Sequence, residues 1–139
     1  MAWFNAWVTI LCSCAGLDNA PALITIPYEP NVVQLTGILC ESVCPGPPEY
    51  ASIEMGDAQE HIFVLKLDSP IHVRDVNPKE NSWNEPEDNV SEIQVAASPK
   101  ETQHLVNKHV EITGSLFHAI TAHHRTEVVM INNHLDLIK

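Results

Sequence analysis

Val33-Gln34-Leu35-Thr36-Gly37-Ile38-Leu39 alternates apolar with polar side chains, and Val110-Glu111-Ile112-Thr113-Gly114-Ser115-Leu116 repeats the pattern with glycine at the same step. Alternation of this kind marks a half-buried strand, and a glycine in its middle marks a bend. The pair predicts two strongly curved strands, over about 31–41 and 108–118, lying in one curved sheet with Gly37 and Gly114 at bends or bulges.

Between and around them the pattern changes character. Pro21, Pro27 and Pro30 make residues 17–30 an extended lead-in. In Cys44-Pro45-Gly46-Pro47-Pro48-Glu49-Tyr50 the prolines and glycine forbid regular structure and predict a long, stiff excursion. His61-Ile62-Phe63-Val64-Leu65-Lys66-Leu67 is a second strand, which Asp68-Ser69-Pro70 turns toward Ile71-His72-Val73. The segment from Asn77 to Asn89 has almost no apolar content and reads as a solvated loop, with Trp83 its odd member. Val90, Ile93 and Val95 mark a further strand. Ser98 as N-cap, Pro99 at the first helical position and Glu101 at the capping-box position start a short helix, to about Asn107, with Leu105 and Val106 turned inward. After a turn-like stretch from Ala119 to His124, the closing strand from Thr126 to Ile131 continues toward Leu137.

The order is strand, long loop, strand, strand, helix, glycine strand, strand. It is the order of the OB-fold, so the expected class is mainly β with one short helix, a five-stranded OB-like Greek-key barrel. A small β-sandwich is the alternative, because order alone does not prove closure.

At 139 residues the chain is long enough for one domain with a real core. The expected division is a leader over 1–22 and a single barrel domain over 23–139. The leader rests on the apolar run Ala2-Trp3-Phe4-Asn5-Ala6-Trp7-Val8-Thr9-Ile10-Leu11 and the small residues after it, although it lacks a basic start. That pattern implies a periplasmic or secreted protein. Leu11-Cys12-Ser13-Cys14 also fits a lipoprotein box, with Cys14 as the anchored residue. With 18 acidic against 7 basic residues the formal charge is −11, which argues against nucleic acid and for a partner protein with a basic surface or a small cationic ligand. No apolar run is long enough for an integral membrane protein with helical spans.

The stretch from Lys108 to Val128, with Gly114, Leu116-Phe117-His118-Ala119, Thr121, His123-His124, Thr126 and Val128, resembles the signature of the bacterial domain-of-unknown-function family 4431. Pro45-Gly46-Pro47-Pro48-Glu49-Tyr50, Ser52-Ile53 and Gly56-Asp57 resemble the upstream part of similar proteins, so the likeness covers roughly residues 31–135. It implies a small exported bacterial protein and brings no activity with it. The chain departs at Ala122 and Arg125, where the resemblance leads one to expect glycine and histidine.

Eight histidines raise the question of a metal. His118, His123 and His124, with Glu127 nearby, would supply imidazole ligands for zinc, copper or nickel if the last hairpin brought them together. Alternatively His118 and His123 hydrogen-bond the turn backbone, helped by Thr121 and Thr126. Cys40 and Cys44 form a C-x3-C pair that either closes a small disulfide ring or serves as two small apolar side chains. In an OB barrel the loops after the first strand and before the fifth flank the usual binding face, which would gather Pro47, Tyr50, His118 and His123 around one groove. Trp83 would be the apolar anchor of a contact made by the acidic loop. No nucleophile elbow, phosphate loop or His-Glu-x-x-His helix is present, and the carboxylates crowd in loops. The expectation is a non-catalytic binding module without a cofactor, of inhibitor or immunity type. The competing expectation is a metal-binding or catalytic protein that uses the histidines of the last hairpin.

Overall fold

The computed structural model describes residues 22–79 and 82–138. Its strands are β1 (Thr25–Pro27), β2 (Val33–Pro45), β3 (Gln59–Arg74), β4 (Glu87–Ala96), β5 (His109–His118) and β6 (Val128–Leu137). A single α-helical turn, α1 (Pro99–Thr102), runs into a 3-10 turn over Gln103–Leu105. The leader expected over 1–22, with Cys12 and Cys14, lies outside the described residues except for Ala22.

The sheet order is β1-β3-β2-β5-β6-β4, and β4 also pairs with β3, which closes five strands into a barrel. Within the ring of five, pairs are antiparallel except β4 with β6, joined in parallel at Gln94↔Val129, Val95↔Met130 and Ala96↔Ile131. With α1 between β4 and β5, this is the OB-like connection expected, and β1 adds a short parallel strand beside β3. Among the described residues no helix is long and apolar enough to cross a membrane.

The two glycine repeats lie side by side. Val33 faces Gly114, Leu35 faces Ile112 and Gly37 faces Val110, so the repeats form an antiparallel pair with each glycine opposite the other repeat's first valine. Leu35, Gly37 and Leu39 point to the interior from one strand, and Ile112, Gly114 and Leu116 from the other. Both glycines have neighbouring backbone folded over them. A Cβ on Gly37 would stand 2.1 Å from the carbonyl oxygen of Lys66 in β3, and one on Gly114 would stand 2.1 Å from that of Ile131 in β6. A register shift between Thr113 and Gly114 marks the second of these folds. The barrel interior is then filled by Phe63, Leu65, Ile93, Val95, Val128 and Met130, with Leu105 below them from the 3-10 turn.

Several element boundaries differ from expectation. Pro45 does not end pairing early: β2 runs through Cys44 and Pro45, opposite Glu60 and Gln59. Asp68-Ser69-Pro70 is not a turn between two strands but a bulge within β3. Lys66 pairs with Glu92 and Ile71 with Val90, so the strand bends as it passes from β2 to β1. The helix is one turn long, and the Ser98 side chain makes no capping bond. Asn107 adopts φ 65°, and its N–H reaches the Leu39 carbonyl, which turns the chain into β5 before a longer helix can form.

Cys40 and Cys44 do not form a disulfide; both are free. They lie four residues apart on one extended strand, a span of roughly 13 Å, whereas a disulfide needs Cα atoms within about 7 Å. Gly114→Ala, by contrast, tests the closure directly. It should destabilise the protein by about 2–4 kcal/mol in chemical denaturation, because the neighbouring backbone must move away. An unchanged denaturation midpoint would show that β6 does not fold over β5 this closely.

Candidate functional site

Loop 46–58 is folded around one carboxylate. Asp57 accepts the backbone N–H groups of Glu49 (2.9 Å), Ala51 (2.7 Å) and Ser52 (2.8 Å). Those bonds, Ser52's foremost, hold its carboxyl below the ordinary aspartate range. Gly46 N–H to Ala58 O (2.7 Å) and Ala58 N–H to Pro47 O (2.9 Å) close the neck, and Pro47 itself is exposed.

The loop presents Tyr50 in the left-handed region, at φ 56°, a conformation that costs a bulky residue about 1–3 kcal/mol. Its ring is held on the far side. The hydroxyl lies 3.1 Å from His123 Nε2, and the His123 and Tyr50 rings meet edge to face at 5.3 Å. His123 Nδ1 faces Glu60 Oε1 at 2.5 Å, so the carboxylate accepts the Nδ1 proton and leaves Nε2 to accept from the tyrosine. Arg125 donates to Glu60 Oε2 (3.4 Å) and to the Pro45 carbonyl, with its guanidinium 5.8 Å from the Tyr50 ring centroid. Two stretches distant in sequence, residues 45–60 and 123–125, thus meet in one latch.

The hairpin that carries His123 and Arg125 lies against the outer face of the barrel. Gln94 sits between Val64 and Val129 in register, on the face opposite Ile93 and Val95. Its side-chain amide donates to the His123 carbonyl (3.0 Å) and accepts the Arg125 N–H (2.6 Å). Val64 and Val129 are buried there although they are outside the interior cluster. In an OB barrel the outer face of these strands, with the two adjoining loops, is the usual ligand platform. Here the chain's own hairpin covers the part of it around Val64, Gln94 and Val129, and leaves Lys66 and Glu92 on the same face exposed.

His118 stands elsewhere. Its Nε2 lies 2.8 Å from Glu87 Oε1 and its Nδ1 3.2 Å from the Ala119 carbonyl, while its backbone N–H donates to Asn84 Oδ1 (3.0 Å). Glu87 also hydrogen-bonds Glu127, and that bond, then the Glu87 charge and burial, raises the Glu127 carboxyl above the ordinary glutamate range. Tyr28, buried, donates from its hydroxyl to the Glu85 carbonyl at 2.7 Å. Burial first, then the charges of Glu87, Asp75 and Glu127, pushes its phenol far above the usual range. Beside this cluster runs an open groove of about 710 Å³, whose lining includes Glu29, Trp83, Glu85, Phe117, His118 and Ile120.

Of the residues singled out from the sequence, Tyr50 and His123 come together, His118 and Trp83 share a different groove, and Pro47 joins neither. His124 is engaged by a third set of partners: Nδ1 accepts the N–H groups of Ile120 (3.0 Å) and Thr121 (3.3 Å), and its ring meets Phe117 edge-on at 5.3 Å. Burial, then the neighbouring His123, lowers its pKa. The three imidazoles do not converge, and among the described residues no group of three metal-binding side chains is present. Glu60, Arg125, Gln94 and Glu87 were not singled out. Their partners lie 29 to 80 residues away, beyond the reach of any local pattern.

Residues 92–133 match the family model described as Domain of unknown function (DUF4431). Over that segment the chain is similar to the DUF4431 family. The segment runs from the middle of β4 into β6 and so takes in Gln94, the whole covering hairpin and His118, while Tyr50, Glu60, Trp83 and Glu87 come from upstream. Neither the curated proteins nor the solved structures give a match to this chain.

Two outcomes follow from these contacts. Arg125→Ala should lower stability by about 1–2 kcal/mol and speed proteolysis within 46–58; protease resistance equal to the unchanged protein would show that the latch does not hold the loop. Glu127 has a folded pKa above its unfolded one, so whatever stability the shared proton contributes is present below the ordinary glutamate range and lost as pH rises through the folded value. Glu127→Gln should therefore raise the melting temperature at neutral pH, with the gain fading on acidification. A gain that grows toward acid pH would contradict the carboxyl pair.

Proposed function

We propose that the protein is a non-catalytic binding module, exported to the bacterial periplasm or beyond. It engages another protein through a basic surface on that partner, in the manner of an inhibitor or immunity protein; a small cationic ligand is the lesser form of the same reading. The observation that carries this is the acidic groove that remains open while the hairpin covers the Gln94 end of the barrel's usual platform. Glu29 and Glu85 line it, Glu87 and Glu127 stand behind His118, and the whole chain carries a formal charge of −11. A field of that sign steers cations and repels nucleic acid. Export is supported by the apolar start of the chain and by the DUF4431 resemblance.

The alternative, a histidine-based activity, has one observation in its favour: Glu60 fixes His123 as a base toward the Tyr50 hydroxyl. Its imidazole is half exposed, and its acceptor nitrogen is already occupied by Tyr50. Added zinc, copper or nickel that raised the melting temperature would favour this alternative.

For the binding reading, immobilised protein should retain basic proteins from an envelope extract at low ionic strength and release them as salt rises. Between about 0.01 and 0.15 M the screening length falls from about 30 to 8 Å, and the association rate should fall by at least about tenfold. Retention of no basic protein at low salt would remove the reading.

A further inference from the structure

Trp83 is 82% exposed. The residues around it are tied down on both sides. Ser82 Oγ donates to Asp75 (2.5 Å), the Asn84 N–H donates to Ser82 Oγ (3.2 Å), and the Glu85 N–H donates to the Trp83 carbonyl (3.1 Å). Asn84 accepts the His118 N–H, and the Glu85 carbonyl accepts the buried Tyr28 hydroxyl. Five hydrogen bonds made by residues 82–85 hold an indole out in water, next to Ile120, which is 63% exposed, and Phe117. Leaving that much apolar surface wet forgoes the stabilisation its burial would bring.

The groove beneath the indole is lined by Glu29 and Glu85 and, among the described residues, by no lysine or arginine. Behind its His118 wall stand Glu87 and Glu127, and Asp75 lies beyond Ser82. The partner side chain that satisfies an aromatic face and carboxylates together is a flat cation. A guanidinium stacks on indole and forks onto carboxylate oxygens while losing little hydration, whereas an ammonium is a strongly hydrated point charge. A volume of about 710 Å³ also exceeds one guanidinium, so the ligand is a segment of chain rather than a free small cation.

Resting on the binding-module reading, we propose that the groove between Trp83 and Ile120 receives an arginine-bearing segment of the partner protein. The arginine stacks on the Trp83 indole and pairs with Glu85 and Glu29, and the rest of the segment lies along Phe117 and Ile120.

The test uses the full chain and a short labelled peptide that alternates arginine with glycine, with a lysine-for-arginine counterpart, at low ionic strength. Trp83→Ala and Glu85→Gln should each weaken binding of the arginine peptide about tenfold. Glu92→Gln removes the same charge from β4, where Glu92 pairs with Lys66 away from the groove, and should change binding less than about twofold. The lysine peptide should bind several-fold more weakly. Because the indole is exposed, Trp83→Ala should melt like the unchanged protein; if it does not, Glu85→Gln decides alone.

Equal weakening by Glu85→Gln and Glu92→Gln would overturn the groove and leave only general charge attraction, with the binding-module reading intact. Equal binding of the two peptides would overturn the choice of arginine. If the arginine peptide fails to bind while basic envelope proteins are still retained, the groove assignment alone falls; if neither is retained, the binding-module reading falls with it.

Discussion

Backbone contact at two glycines is the constraint on which the rest of the structure depends. Gly37 and Gly114 sit in the antiparallel pair of β2 and β5, and at each of them the strand on the outer flank comes so close that no side chain fits. A small barrel has to bend each strand sharply, and the bend is feasible only where the concave side is empty. The two bends are related by the symmetry of the pair itself, since each glycine faces the valine that opens the other repeat. With β3 and β6 drawn in at the two ends, β4 can meet both of them and complete the ring. Neither bend depends on an unusual glycine torsion; what each requires is the absence of Cβ.

Closure then decides which surfaces are left for function. Bending β6 inward brings the start of that strand beside β4, and the hairpin preceding it folds back over Gln94, Val64 and Val129. The apolar outer face gains a cover, whose polar groups bond Gln94, Glu60 and the Pro45 carbonyl, while Arg125 Nε is buried without a partner. A ligand for the usual platform would have to displace the hairpin and break the contacts among Tyr50, His123, Glu60 and Arg125. The groove beside Trp83 demands no such disruption, because its indole is already in solvent and Ser82 and Asn84 on either side of it are already hydrogen-bonded.

The alternating repeats made the barrel legible: period-two patterning reported which side chains face inward, and the shared glycine step reported where the strands bend. The same local reading failed where geometry is set from a distance. Asp68-Ser69-Pro70 has the composition of a turn, yet β3 continues through it because β4 and β1 hold its two halves. Cys40 and Cys44 looked close in sequence, but an extended strand carries residues four apart well beyond bonding distance. The candidate site was half legible. Tyr50 and His123 could be brought together by reasoning from the fold, because they lie on the two loops that flank one face. Glu60, Arg125 and Gln94 could not, since a carboxylate in a strand or an arginine in a turn reads locally as a solvated charge.

The distribution of histidine partners bears on what kind of protein this is. His118, His123 and His124 are close in sequence, yet each is turned to a different acceptor or donor set: Glu87, Glu60 with Tyr50, and the N–H groups of Ile120 and Thr121. A metal centre needs imidazole lone pairs aimed at one point. Here the lone pair of His123 Nε2 faces a hydroxyl and that of His124 Nδ1 faces two amides, so both shape the hairpin rather than gather a ligand. The imidazoles fix a cover over one face of the barrel. What they leave exposed is acidic and aromatic, and a surface of that kind is complementary to a cationic side chain.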